Sequence, residues 1–143
     1  MREIKFRGKR KDNGEWVFGD YSRYSKEASI IMVDLLEEED YWVSNETVGQ
    51  FTGLHDKNGV EIYEGDVVRI EHDITETQSL GSIENKDLSV WEEVVETFEV
   101  EDVVVFVNGS FDVQEWAVGI FMPYEIEVIG NIHDNPELMG KKK

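Results

Sequence analysis

Apolar and polar residues alternate with a period of two over much of this chain, and Asp, Asn and Gly interrupt the alternation at short intervals. A period of two sends successive side chains to opposite faces of an extended strand. In Arg2 to Lys9 it sets Ile4 and Phe6 on one face and Lys5, Arg7 and Lys9 on the other, as a half-buried strand would. Asp12-Asn13-Gly14 then supplies a turn, and Trp16 and Phe18 resume the alternation, so the first 21 residues read as a β-hairpin.

Two short strands are expected at Ile30 to Val33 and Tyr41 to Ser44, joined by the acidic stretch Glu37-Glu38-Glu39-Asp40. Thr47 to Thr52 is extended and Gly53 breaks it. Asp56-Lys57-Asn58-Gly59 reverses the chain, because Asn and Gly accept the positive φ of a tight turn. Val60 and Ile62 alternate with Glu61 and Tyr63, Glu64-Gly65-Asp66 makes a second turn, and Val68, Ile70 and Ile74 mark the inward face of a further strand. These glycines are needed by the backbone before any ligand is invoked.

Residues 75 to 90 are polar and read as a loop or insertion. Trp91, Val94, Val95 and Phe98 repeat at helical spacing, which permits an amphipathic helix over about 87 to 96, and a strand reading competes with it. Val103 to Val107 is too rich in β-branched residues to prefer helix. Asn108-Gly109 turns the chain, Phe111 to Ile120 returns, Glu125 to Ile132 forms a last strand, and Asn135 to Leu138 begins a short helical turn. Roughly eight short strands with hairpin connections and little helix imply a mainly β, antiparallel barrel or sandwich in a single domain spanning the chain. The "IYEGDVVRI" element is of a kind common in SH3-like barrels.

Charge changes this picture. The net charge is -18, and most of it sits in two blocks. Asp34 to Glu46 holds six acids and no base, and Glu71 to Asp102 holds eleven acids against Lys86. Met1 to Lys11 sums to +5 and Lys141 to Lys143 adds +3. An acidic remainder repels phosphates, so general duplex binding is disfavoured. The absence of cysteine excludes disulfides, thiolate metal sites and cysteine nucleophiles. No signal-peptide pattern or long apolar run is present, so a soluble, cytoplasmic protein is expected.

Site chemistry is sparse. His55-Asp56 and His133-Asp134, with His72, exhaust the histidines. Neighbours on an extended chain point to opposite faces, so each Asp is better placed to accept backbone N–H groups in a turn than to orient its His. Asp56-Lys57-Asn58-Gly59 has its glycine too early for a calcium loop, with Val60 and Ile62 at ligand positions. There is no phosphate-cradling glycine motif and no nucleophile elbow. No catalytic residue, metal ligand or cofactor is therefore expected. Trp16, Phe18 and Tyr21 beside the basic strand would suit single-stranded nucleic acid, but the alternating pattern favours burial of Trp16 and Phe18 opposite Ile4 and Phe6, as core.

"ETVGQFTGLHDKNGVEIYEGDVVRI" (Glu46 to Ile70), "YEIEVIGNIHDNPEL" (Tyr124 to Leu138) and the N-terminal "REIKFRGK" together resemble the YopX family of bacteriophage and prophage proteins. The resemblance implies a phage-encoded protein made in a bacterial cytoplasm, with a mainly β fold, and brings no activity, cofactor or catalytic residue with it. It also leaves the acidic segment at about 71–102 between recognisable blocks, as a variable insertion would lie.

Three functions are open to such a chain. The first is a non-enzymatic module that binds a host or phage protein, with Lys5, Arg7, Lys9, Glu92, Glu93, Glu96, Glu99 and Glu101 as the candidate surface. The second is a single-stranded nucleic-acid-binding protein using the basic N-terminal strand. The third is a small enzyme with a His/Asp site, which requires His55 and His133 to converge. The first is the expected one. No membrane partner is expected, and a basic strand meeting an acidic block on a second copy is compatible with self-association.

Overall fold

The computed structural model of the chain describes residues 3–26, 28–34, 36, 39–80 and 89–140. The lysine tail, Glu37-Glu38 and the central part of the acidic segment at 81–88 lie outside them. Among the described residues the alternating segments form eleven strands: β1 (Phe6–Lys9), β2 (Trp16–Arg23), β3 (Ala28–Asp34), β4 (Glu39–Ser44), β5 (Gly49–His55), β6 (Glu61–Tyr63), β7 (Asp66–Leu80), β8 (Ser89–Val107), β9 (Ser110–Val113), β10 (Trp116–Ala117) and β11 (Ile126–Asn131). Among the described residues one short α-helix, α1 (Glu137–Gly140), follows Pro136, and three single 3-10 turns lie between strands.

The strands build two antiparallel sheets, ordered β4-β3-β2-β1-β5-β6 and β10-β9-β8-β7-β11. The fold is mainly β and sandwich-like, and neither sheet closes into a barrel. The chain passes from the first sheet to the second at Glu64-Gly65, where Gly65 has φ +93° and its N–H donates to the Val104 carbonyl at 2.8 Å. Gly49 lies against the same corner, and a Cβ there would stand 2.4 Å from the Glu64 carbonyl oxygen. Only glycine allows that approach. Asn108 and Gly109 both take positive φ, as a two-residue hairpin requires.

The principal core lies on the second sheet and joins Val68, Ile70, Val104, Val113 and Ile126 to Ile62 of the first. Removing each such side chain from water contributes about 1.5–3 kcal/mol. A second buried group, Ile31, Val43, Phe51 and Tyr63, belongs to the first sheet.

Several expectations are corrected. Of the two readings open for 87 to 96, the described part of that range follows the strand and not the helix, from Ser89 onward. Its misleading spacing has a physical source: the register between β7 and β8 shifts after Ile74, so that Glu96 and then Val94 face successive β7 residues and Val95 is the extra residue of a bulge. Two adjacent valines across a bulge imitate the i+3, i+4 step of a helix. The loop expected from residue 75 is also strand, as far as Leu80. The single return strand over 111 to 120 is two short strands, split where Gln114 takes φ +56°, followed by a one-turn helix at Val118–Ile120. In the N-terminal segment the faces are not as expected: Arg7 of β1 is buried, with 7% of its surface exposed, whereas Ile4, before the strand, is 62% exposed. Phe18, expected in the core, is 42% exposed.

Candidate functional site

The two His-Asp pairs prove to be corners of the fold. Asp56 is buried and accepts from the amides of Asn58 at 2.8 Å and Val60 at 2.9 Å through one oxygen, closing the turn that Asn58-Gly59 makes. Its other oxygen accepts from the Val128 amide of β11 at 2.9 Å, and the Lys57 amide donates to the Ile126 carbonyl at 2.9 Å. The turn thus staples the first sheet to the second. His55 is exposed and lies edge-on to Phe51. Asp134 accepts from the Trp16 indole at 2.7 Å and from the Asn131 amide group at 3.0 Å, and pairs with Lys9. Those cationic and indole donors hold its carboxyl far below the usual range.

Around Gly65 the sheets are clamped by charge. The Arg7 guanidinium pairs with Asp66 at 2.8 Å and stacks between Trp16 and Tyr63, 4.6 and 4.8 Å from their ring centres. Burial pushes the Asp66 carboxyl up, against the pull of Arg7 and of the Tyr63 amide that donates to it at 2.7 Å. Burial likewise pushes His133 down, helped by the nearby charges of Arg7 and Lys9. Lys5 pairs with Glu61 at 2.5 Å. The three cations of the basic strand are therefore each held by a carboxylate of the same molecule, and Arg7 does not belong to the surface.

The acidic candidates have a different setting. Beyond the part of the second sheet where β9 and β11 pair, β7 and β8 continue as a two-stranded arm, paired from Glu71 opposite Glu99 to Leu80 opposite Ser89. Directly opposed residues share a face and lie close together. On one face Arg69 sits opposite Glu101, its ion-pair partner at 3.5 Å, followed by Glu71 opposite Glu99 and Asp73 opposite Thr97. A polar cavity of about 490 Å³ opens there between the arm and Lys57, Tyr124 and Glu127. On the other face His72 opposes Phe98, Ile74 opposes Glu96 and Glu76 opposes Glu93. Glu92, Glu93, Glu96 and Glu99 are thus gathered on one arm, on both its faces, and Glu101 lies at its root, where β11 still pairs with β7. Among the described residues no ion pair engages Glu71, Glu76, Glu93, Glu96 or Glu99.

The arm itself escaped sequence reasoning. Its signal was the alternation of Ile70, His72 and Ile74 continuing toward residue 80, masked by the polarity of a ribbon exposed on both sides. Among the described residues no three His, Asp or Glu groups converge as a metal site would need. His72 contacts Glu125, and His133 packs against Trp16.

Fold and surface together define a two-sheet β protein whose second sheet projects an acidic ribbon. The YopX protein family model matches residues 5–140, and the chain belongs to the YopX family. Among solved structures it is similar to the protein EF1440 from Enterococcus faecalis, at 23% identity and a TM-score of 0.53, with 97% of this chain and 99% of that one covered. That likeness shows the fold. Comparison with curated proteins finds no match. Among the described residues no helix is long and apolar enough to cross a membrane.

Proposed function

We propose that this chain is a phage-encoded, non-enzymatic module of the bacterial cytoplasm that binds a basic host or phage protein through the β7–β8 arm. The observation that carries the reading is the register of the arm, which sets Glu71 against Glu99 and Glu76 against Glu93. Like charges directly opposed on neighbouring strands destabilise the ribbon that holds them. A cationic partner removes that repulsion on binding, steers encounter from a distance, and is selected against acidic competitors. Support also comes from the basic strand, since Lys5, Arg7 and Lys9 are committed to Glu61, Asp66 and Asp134 and leave little free charge for phosphates.

The test is retention of bacterial lysate proteins on the immobilised chain, compared with a variant carrying Glu71→Gln, Glu76→Gln, Glu93→Gln and Glu99→Gln. The expected result is a set of basic proteins retained by the native chain, eluted by salt and lost from the variant, whose melting temperature is not lowered. Retention indifferent to the four substitutions overturns the reading, and so does tight single-stranded nucleic-acid binding near physiological salt.

A further inference from the structure

At the foot of the arm, on the face that carries Glu76, Glu93 and Glu96, lies an apolar groove of about 280 Å³ lined by His72, Ile74, Phe98, Trp116, Ile120 and Phe121. Phe98 meets Trp116 edge-on at 5.7 Å and His72 meets Phe121 at 5.9 Å, so β7, β8, β10 and the one-turn helix jointly shape its walls. Ile120, Ile74 and Trp116 nevertheless remain 60%, 41% and 39% exposed. Apolar side chains from several segments that converge on a concave patch yet stay in contact with water mark an interaction site.

Charge decides what fits. Along β7 the residues on this face run His72, Ile74, Glu76, and the residues opposite them run Phe98, Glu96, Glu93. The groove therefore opens directly onto three carboxylates that no described cation engages. From Ile74 to Glu76 is two residues, roughly 7 Å along the strand. We infer that the groove seats one apolar side chain of a basic peptide segment in the partner protein, with Lys or Arg of that segment reaching Glu96, Glu76 and Glu93. The segment runs along the arm with its apolar anchor toward the core and its cations toward the arm's far end. In an extended segment the first cation falls roughly two residues from the anchor. Phosphate-bearing ligands are repelled by the same carboxylates. This rests on the protein-binding reading above and adds to it the chemistry and direction of the bound segment.

A random peptide display library selected on the immobilised chain tests this directly. Enriched peptides are expected to carry an apolar residue followed or preceded at short spacing by Lys or Arg. A synthetic copy of the best of them should bind Ile74→Ser and Ile120→Ser chains at least about tenfold more weakly, a difference of about 1.4 kcal/mol. Both positions are open to water, so the variants should melt close to the native chain. Glu76→Gln with Glu93→Gln should weaken binding several-fold and flatten its salt dependence.

Other results overturn the inference in distinguishable ways. Basic peptides that ignore Ile74→Ser and Ile120→Ser but respond to Glu71→Gln with Glu99→Gln would place recognition on the opposite face, leaving the acidic-arm reading intact. Enrichment of acidic or purely apolar peptides, or none, removes both readings. A chain that self-associates in sedimentation, and is made monomeric by Ile120→Ser, assigns the groove to a second copy instead.

Discussion

At the junction of the two sheets Lys5, Arg7 and Lys9 each sit on a carboxylate, whereas along the arm carboxylate faces carboxylate. Arg7 and Asp66 are enclosed by Trp16, Tyr63 and the Gly65 corner, where an unpaired ion would be costly, and the half-buried Lys5 and Lys9 are each given a carboxylate as well. The arm charges are hydrated on a two-stranded ribbon, where mutual repulsion costs little and can be kept for another purpose. The contrast separates charge that holds the fold from charge that is presented.

The sharpest way to break that distinction is to remove one ion from each region. Arg7→Ala leaves Asp66 buried without its cation and deletes the plane stacked between Trp16 and Tyr63, so we expect a loss of about 3–5 kcal/mol in urea denaturation. Glu96→Gln on the arm should stay within about 0.5 kcal/mol of the native chain. Similar losses at both positions would show that the arm charges also hold the fold.

The same contrast explains which parts of the structure were legible in the sequence. Turn residues are local, so Asn13-Gly14, Asn58-Gly59 and Asn108-Gly109 marked their turns correctly, and Asp56 was recognisable as an acceptor for turn amides. Arg7 was misplaced because its partner, Asp66, is far along the chain and belongs to the other sheet, and no period on β1 could reveal it. The arm was hidden for two reasons. A ribbon open to water on both faces carries few apolar residues to mark an inner side, and the bulge at Val95 breaks the alternation where it would have been most visible. The groove needs β10 and the one-turn helix beside β7 and β8, a convergence that only tertiary structure creates.

Mild acid should act on the junction of the sheets through His133. His133 is held below the ordinary imidazole value by burial and by Arg7 and Lys9, with Asp134 and Glu46 pulling the other way. The unfolded chain takes up a proton near pH 6.5 and the folded chain resists it. The stability tied to a neutral His133 is thus complete above that pH and declines as pH falls through it toward the lower folded value. Asp134 follows only in stronger acid: its stabilisation is complete above the ordinary carboxylate value near 4 and is lost below it. Urea midpoints measured from about pH 7.5 to 5 should fall for the native chain and fall less for His133→Phe, which keeps a ring against Trp16 but cannot be protonated. Equal slopes would remove His133 as the acid-sensitive group.

The smallest effect carries the most information about purpose. Glu93→Lys places a cation directly opposite Glu76, replacing a repulsive cross-strand pair by an attractive one. Both sites are exposed, so the gain should be only about 0.2–1 kcal/mol, read as a rise of a few degrees at most in Tm and reduced by salt. A chain shaped for stability alone would favour such a pair, because one substitution supplies it. If Glu93→Lys raises stability while weakening the basic peptide, the repulsion at 76 and 93 is kept for recognition. If stability rises and binding is untouched, the two carboxylates are ordinary hydrated surface, and the distinction between held and presented charge fails at the place where it was drawn.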